Sequence, residues 1–333
     1  MTTIKDVAEK AGVSVATVSR VINNEKYVNE DLRRYVLKIV NDMGYQPDGI
    51  ARGLRTKSTN VISLVIPDIN NPFYPEVARG VQSVADEYEY VVILCNTDRV
   101  VQREQKFVNI LNQQRVEGII INPSGSTRRE MNILARLNIP VVLISSQNIL
   151  PNFDIVMVDN IQGVGLAIDH FYELGHRRIG LVGGSREVSS GEQRYQGYIQ
   201  SIARHGIPVE EELITEGKFD HNGGYECMKR LLKLKNRPTA VFAANDIMAI
   251  GAVSAIYETG LKIPDDISII GFDDIAYSRM MYPKLTTVSQ PKFEMGAIAT
   301  QMLFERVTGQ EIPNPRRKIL DHSLVIRDTT QRI

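Results

Sequence analysis

The 333-residue chain carries 39 basic and 39 acidic residues, and 43% of its residues are hydrophobic. These proportions are typical of a globular protein of two or three domains and exclude a disordered chain. Neither an N-terminal secretory signal nor an apolar run of membrane-spanning length is present, so we expect a cytoplasmic protein with no membrane partner. Cys95 and Cys227 have no CxxC partner and are predicted to be buried free thiols rather than a disulfide or a zinc site.

The N-terminal segment shows two helical patterns separated by a turn. In the first pattern Ile4, Val7 and Ala8 share one face. Gly12 allows a tight turn, and Ser14 is a good N-cap for the second helix. The second segment is rich in β-branched residues and could form a strand, but its apolar residues keep helical spacing after the capping serine. The pattern predicts a helix-turn-helix.

The polar face of the second helix carries the candidate DNA contacts. In this motif the N-terminal residues of the second helix enter the major groove, where methyl groups contact thymine and arginine bonds guanine. We therefore assign base reading to Val15, Ala16 and Arg20. Hydroxyl groups suit phosphate contacts, which set register without reading sequence, and the candidates are Ser14, Thr17 and Ser19. The alternative is a helical hairpin with a solvated arginine.

The segment IKDVAEKAGVSVATVSRVIN resembles the N-terminal signature of the lactose-repressor family of bacterial regulators, position for position. The resemblance implies a homodimeric transcription regulator, in most cases a repressor, that binds double-stranded operator DNA and lies on the nucleoid when bound. The sequence is most similar to those of the ribose- and purine-repressor members of the family. Residues 1–57 hold ten basic and seven acidic residues, so this part carries +3 and the remainder −3. This asymmetry has the sign that DNA binding requires.

A third capped apolar stripe completes a headpiece of residues 1–46. Residues 47–58 follow as a hinge that is too short and too rich in glycine to be helical alone in water. In the family this segment folds beside its dimer mate in the minor groove and wedges a leucine between base pairs. The matching YxP and ARGL motifs place that role on Leu54, with Ala51 and Arg55 as neighbouring DNA contacts. A flexible linker is the alternative.

Beyond the hinge, short continuous apolar runs alternate with helical stretches. Such runs are typical of parallel strands in β-α-β units, covered on both faces. The predicted strands are residues 61–67, 91–96, 118–123, 141–146, 178–184, 213–217, 240–245 and 268–274, with 322–326 as a last strand. Two serial α/β halves predict two lobes with a ligand cleft at the C-terminal ends of the strands. The expected fold class is therefore α/β, with a small all-α headpiece and a two-lobed core of parallel sheets flanked by helices.

The resemblance extends through this core, which in the family is similar to periplasmic sugar-binding proteins. It implies a core of residues 59–333, with lobe one at about 59–160 plus 291–322 and lobe two at about 161–290 plus 323–333. Amides, carboxylates and aromatic rings at strand ends suit recognition of a polyol, so a sugar is the expected effector. Matching family blocks place the effector contacts, together with the strand-end serine, at Asn71, Phe73, Tyr74, Ser145, Arg194, Phe219, Asn245, Asp273 and Gln290.

One departure from the family concerns the end of the fourth strand. Sugar-binding relatives often have Asp-Arg there, whereas this chain has Ser145 followed by a second serine. The loss of that charged pair puts ribose-like binding in doubt and leaves a different sugar, a sugar phosphate or a purine open. Arg194 would then meet an anionic group, since guanidinium suits phosphate and carboxylate.

Enzyme motifs are missing from the sequence. HExxH, GxSxG, P-loop and CxxC patterns do not occur, and the glycine pair Gly163 and Gly165 lacks the final glycine of a dinucleotide fingerprint. The five histidines show no metal-ligand spacing. We therefore expect no catalysis, no cofactor and no metal. A sugar-binding transport module is the distant alternative, but it would need a signal sequence and no headpiece.

Overall fold

The computed structural model describes residues 2–22, 28–45, 59–125, 128–145 and 153–333. The chain divides into two compact units, Met1–Thr59 and Asn60–Ile333. Three predicted DNA contacts, Ala51, Leu54 and Arg55, lie outside the described residues, as does the hinge that contains them. The second serine after the fourth strand also lies outside them.

The described residues of the first unit form a small three-helix domain, with α1 at Ile4–Ala11, α2 at Val15–Ile22 and α3 at Glu30–Asp42. Helix α1 begins at a capping box in which Thr3 and Asp6 exchange hydrogen bonds. It ends at Gly12, whose φ of 65° is the left-handed conformation that glycine adopts readily. Val18 and Val21 of α2 are buried against the other two helices. The predicted helix-turn-helix is confirmed. The second segment is helical because burial of this apolar stripe outweighs the β preference of its branched residues.

Lobe one of the second unit contains a parallel sheet in the order β11-β5-β4-β3-β1-β2. Its strands are β1 Val61–Ile66, β2 Val91–Asn96, β3 Gly118–Ile121, β4 Val141–Ile144, β5 Asp154–Val158 and β11 Arg317–Leu320. The helices that accompany it are α4 Phe73–Glu87, α5 Val101–Gln113, α6 Arg128–Ala135 and α12 Lys292–Val307. Strands β3, β4 and β5 are buried along their whole length, which explains why every residue in them except Gly118 and Asp154 is a large apolar one.

Lobe two contains a second sheet in the order β12-β10-β9-β8-β6-β7, in which β12 alone runs antiparallel to its neighbour. Its strands are β6 Ile179–Gly183, β7 Ile214–Glu216, β8 Ala240–Ala243, β9 Ser268–Asp273, β10 Thr286–Ser289 and β12 Ser323–Val325. Its helices are α7 Asn160–Glu173, α8 Ser189–Arg204, α9 His221–Leu232, α10 Asp246–Glu258 and α11 Ala276–Met280, with a 3₁₀ turn at Glu211–Leu213.

The described chain passes between the lobes three times, after β5, after β10 and after β11. The expected fold class is confirmed, with both sheets dominated by parallel strands. Three strands, β5, β10 and β11, were not among the predicted ones, so the strand prediction was incomplete. Strand β11 begins with exposed basic residues and occupies a sheet edge, where a continuous apolar run is not required.

Both cysteines are buried free thiols, as predicted, with Cys95 on β2 and Cys227 on α9. No helix in the described part of the chain combines the length and apolar character that crossing a membrane requires.

Candidate effector and DNA-binding sites

A cavity of about 540 Å³ lies between the two lobes of the second unit. Its walls come from the segments that follow β1 to β4 in lobe one and β6 to β10 in lobe two, together with α8. This is the edge at which parallel sheets collect ligands. All nine residues predicted as effector contacts line the cavity: Asn71, Phe73, Tyr74, Ser145, Arg194, Phe219, Asn245, Asp273 and Gln290.

A buried ion pair forms the lobe-two wall of the cavity. Arg194 and Asp273 are 6% and 4% exposed, and Nη2 of the arginine lies 3.6 Å from Oδ1 of the aspartate. Arg194 also donates from Nε to Oδ1 of Asn160 at 2.9 Å, and its Cζ lies 3.9 Å from the centre of the Phe272 ring. Protein groups thus contact the guanidinium on three sides. Its charge faces the carboxyl group of Asp273.

Burial makes the Asp273 carboxyl group an unusually weak acid. Removal from water raises the pKa of Asp273 to about 7, although the Arg194 charge and a 2.6 Å hydrogen bond from Gln290 Nε2 both oppose the rise. The backbone at Asp273 has a φ of 121°, which is rare outside glycine. Lys292 donates its Nζ to the carbonyl oxygens of Asp273, Asp274 and Gln290 and so holds this turn. The carboxyl group is therefore fixed in position and poised between its two protonation states near neutral pH.

Two buried asparagines serve both the fold and the cavity. Asn71 accepts a hydrogen bond from the backbone N of Phe73 at 3.0 Å, at the start of α4. Asn245 is the N-cap of α10 and accepts a hydrogen bond from the backbone N of Met248 at 2.9 Å. In each case the side-chain oxygen is occupied, and the amide Nδ2 donates to no protein group among the described residues. Asn71 of lobe one and Asn245 of lobe two, which both line the cavity, therefore each have an amide donor available for a ligand.

Aromatic rings complete the walls. Phe73 and Tyr74 meet edge to face with centroids 5.1 Å apart. The Tyr74 hydroxyl accepts a 3.0 Å hydrogen bond from Asn122 Nδ2, and burial raises the pKa of Tyr74, so the phenol is neutral. Across the cavity Phe219 lies over Gly184, where an added Cβ would come within 2.2 Å of the ring. The cavity therefore combines ring faces with fixed polar groups.

Ser145 occupies the end of β4, where the family often has a charged pair. It adopts a φ of 53°, and its Oγ donates to the Met295 sulfur at 3.3 Å. The side chain is half-buried and brings no charge to the cavity. This wall is consequently less polar than an Asp-Arg pair would make it.

The predicted DNA-reading face lies on α2. Val15, Ala16 and Arg20 are exposed, whereas Thr17 is half-buried. The Ser14 Oγ accepts from the backbone N of Thr17 at 3.1 Å and lies 2.9 Å from its hydroxyl oxygen. Ser14 is thus an N-cap, as predicted, and its hydroxyl already has partners. Ser19, the remaining α2 candidate, is half-buried.

Residues 3–48 match the model of the bacterial regulatory proteins of the lacI family, and residues 168–330 match a periplasmic binding protein-like domain. The ribose operon repressor of Halalkalibacterium halodurans is 37% identical over 99% of this chain and 98% of its own length. The transcriptional repressor PurR of Mannheimia succiniciproducens is 36% identical over the whole of both chains. This chain belongs to the LacI family.

Solved structures agree with the LacI assignment. The lac repressor dimer bound to operator and the anti-inducer ONPF superposes with a TM-score of 0.89 at 29% identity, covering 99% of both chains. A LacI-family regulator from Enterococcus faecium with bound ribose superposes with a TM-score of 0.74 at 30% identity, over 82% of this chain and 99% of its own. The protein is therefore a LacI-family DNA-binding transcriptional regulator and not an enzyme.

Sequence reasoning missed part of the cavity wall of this LacI-family protein. Besides the nine predicted residues, the lining includes Asp68, Asn70, Asp98, Arg99, Asn122, Ser124, Ser185, Glu187, Ser190, Lys218 and Asp220. Most of these follow β1, β2, β3, β6 or β7. The predicted residues came chiefly from matching family blocks. The rule that ligands gather after parallel strands, applied to every strand, would have added most of the others.

Proposed function

We propose that the protein is a homodimeric transcriptional repressor whose affinity for operator DNA is controlled by a neutral, sugar-like effector bound in the interlobe cavity. The observation that carries the proposal is that the buried Arg194 and Asp273 face each other at 3.6 Å, on a wall that also includes the amides of Asn71 and Asn245. Such a wall offers fixed hydrogen-bond donors and acceptors. Hydroxyl groups, which both donate and accept, complement it.

The charge of the cavity argues against an anionic effector. Its described lining contains the five acidic residues Asp68, Asp98, Glu187, Asp220 and Asp273 but the three basic residues Arg99, Arg194 and Lys218. Two of the basic residues already face a carboxylate, Arg194 at 3.6 Å and Arg99 at 3.3 Å. A phosphate would enter a site of net negative charge with little unpaired cation to receive it. A sugar phosphate is therefore disfavoured.

A purine is the second candidate effector, and a specific feature supports it. Phe73, Tyr74 and Phe219 line the cavity, and a planar base stacks on aromatic rings. The PurR relative from Mannheimia succiniciproducens, which is 36% identical, is consistent with this alternative. A sugar remains favoured because a hydroxylated ligand satisfies both Asn71 and Asn245 together with the Asp273 carboxyl group.

The dimer is supported by apolar surface in two places. The edge strand β2 exposes Val91, Ile93 and Leu94 by 40% to 62%. Met280 and Tyr282 of lobe two are 76% and 91% exposed. Exposed edges and large apolar side chains of this kind are usually covered by a partner. We propose that a second copy covers both surfaces, in keeping with the lac repressor, whose structure with operator is a dimer.

The proposed mechanism is linkage between the cavity and the DNA. Residues 1–46 read the operator through Ser14, Val15, Ala16, Thr17, Ser19 and Arg20, and residues 47–58 form the hinge with Ala51, Leu54 and Arg55. An effector that favours one lobe arrangement changes how the two hinges meet and so changes DNA affinity, with a coupling of about 1 to 3 kcal/mol. A dimer acting in this way binds a nearly palindromic operator on the nucleoid in the cytoplasm.

A thermal-shift screen of the full chain tests the effector class. At a ligand concentration of about 100 times Kd the native state gains about 2.7 kcal/mol, which raises Tm by several degrees. We expect a neutral pentose, hexose or disaccharide to give this shift. Asp273→Asn should lose it, whereas Asp169→Asn, which alters a half-exposed carboxylate paired with Arg204, should keep it. A shift with sugar phosphates or purines alone would refute the sugar assignment.

DNA binding is tested separately by selecting duplexes from a random pool with the full chain. The proposal requires a nearly palindromic consensus whose affinity changes on addition of the compound that raised Tm. A selected site without symmetry would contradict the dimeric mode. An operator affinity that does not respond to that compound would contradict the linkage.

A further inference from the structure

The turn after β2 has an unfavourable backbone conformation at two consecutive residues. Asp98 and Arg99 are consecutive and adopt φ values of 51° and 60°, the left-handed region that residues other than glycine rarely occupy. The turn is held by its surroundings, since Asn96 Nδ2 donates to the Asp98 carboxylate at 2.5 Å and Arg103 pairs with that carboxylate. The Arg99 backbone N donates to Pro67 O at 2.9 Å. This unfavourable backbone turns the Arg99 side chain across the cavity.

The Arg99 guanidinium joins the two lobes. Its Nη2 donates to Asp68 Oδ2 at 3.3 Å in lobe one and to the backbone oxygen of Phe219 at 3.0 Å in lobe two. Its Cζ lies 5.8 Å from the centre of the Phe219 ring, which itself lines the cavity. The Arg99 and Asp68 side chains are 26% and 19% exposed, so water only partly screens the contact.

The position of this contact in the two sheets is informative. The chain crosses between the lobes after β5, β10 and β11, near the sheet edges formed by β11 and β12. Strand β2 forms the opposite edge of the first sheet and β7 the opposite edge of the second. Arg99 follows β2, and Phe219 follows β7. The cavity is thus bounded by covalent crossovers at one side and by the Arg99 contact at the other.

We propose that Arg99 is a positioning residue that clasps the lobes at the edge of the cavity away from the crossovers. Its bond to the Phe219 carbonyl forms only when the lobes are close together, so it stabilises the closed arrangement. This rests on the proposed function, in which the effector acts by changing the arrangement of the lobes. Because the acceptor is a backbone oxygen, the clasp requires Arg99 but no particular side chain at its partner position.

The clasp is tested without effector or DNA, so its outcome is separate from that of the effector assignment. Spin labels on Lys106→Cys in α5 and Glu226→Cys in α9 report the distance between the lobes, and the native Cys95 and Cys227 are buried. Labelled protein is mixed with excess unlabelled chain, so that a dimer that carries labels has them on one protomer only. Pulsed dipolar spectroscopy then gives the ratio of open to closed lobes.

Arg99→Ala should raise the ratio of open to closed lobes about fivefold, the effect expected for loss of one partly exposed charge-assisted hydrogen bond. Arg99→Lys, which keeps the charge, should give a smaller increase. The matched control is Arg204→Ala, which removes a surface pair with Asp169 away from the cavity. An Arg99→Ala distribution that matches wild type would overturn the proposal. If Arg99→Ala fails to fold, an Arg99→Lys distribution that matches wild type would do the same.

Discussion

Replacement of Asp273 by asparagine tests whether burial in the cavity raises the pKa of this carboxyl group and so makes stability depend on pH. Burial raises the pKa of Asp273 to about 7 in the folded protein, whereas an unfolded aspartate has its ordinary value of 3.8. The folded state therefore binds this proton more tightly than the unfolded state. Stability contributed by the group is fully present below pH 3.8, falls as pH rises, and becomes constant above about pH 7.

The size of the effect follows from the same pKa. Between pH 5.5 and 7 the unfolded group is ionised while most of the folded group remains protonated, and each pH unit costs about 1.4 kcal/mol. Over this interval Asp273 should lower the free energy of unfolding by about 2 kcal/mol. Asparagine cannot titrate, so Asp273→Asn removes this contribution.

Urea unfolding at pH 5.5, 6.2, 7 and 8 measures the effect as a difference between wild type and variant. Burial lowers the pKa values of His170, His176 and His322, so these groups make stability rise with pH through the same interval. Both proteins share that rise, and it cancels in the difference. The stability of wild type minus that of the variant should fall by about 2 kcal/mol from pH 5.5 to 7 and then level off.

Asp154→Asn provides the matched control. Burial acts to raise the pKa of Asp154, but hydrogen bonds from Arg306 and Arg316 outweigh it, and the pKa lies below its ordinary value. That group is ionised in both states throughout the interval. Its variant should lose stability by an amount that does not change between pH 5.5 and 8. An equally flat difference for Asp273→Asn would refute the reasoning about the cavity carboxyl group.

Three further predictions concern the headpiece and the cavity. Val18→Ala removes fully buried methyl groups and should lower the free energy of unfolding of the first unit by about 2 kcal/mol, seen as an earlier melting transition in calorimetry. Arg20→Ala should weaken binding to the selected operator by about 1 to 3 kcal/mol in fluorescence anisotropy, whereas Lys10→Ala on α1 should change it much less. An equal loss in both would reject base reading by Arg20. Gly184→Ala places a Cβ against the Phe219 ring and should reduce effector affinity in calorimetric titration, and unchanged affinity would count against Phe219 as a contact.

The headpiece was predictable because its signals are local. The hydroxyl groups that cap α1 and α2 lie three residues from the backbone groups that they bond. The apolar residues of each helix repeat with the helical period, and Val7, Val18 and Val36 meet in the core. The formation of these helices therefore depends on signals within a few positions.

Strands β5 and β11 were missed because their pairing is not local. Strand β11 lies next to β5 although about 160 residues separate them, and its first two residues are charged. The junction is held by Asp154 at the start of β5, which accepts hydrogen bonds from Arg306 and Arg316. A carboxylate and two arginines so far apart in sequence give no sign that they form one cluster.

The amino-acid sequence by itself determined the alternation of helices with most of the strands, the helix-turn-helix and the polar residues at strand ends, because each depends on periodicity, caps or motifs within a few positions. Only the tertiary structure decided that Arg194 faces Asp273 and that Arg99 reaches Phe219 across the lobes. The physical reason is that the energy of a charge depends on its distance from other charges and on its loss of water. Both quantities are set by the packing of segments that lie far apart in the chain.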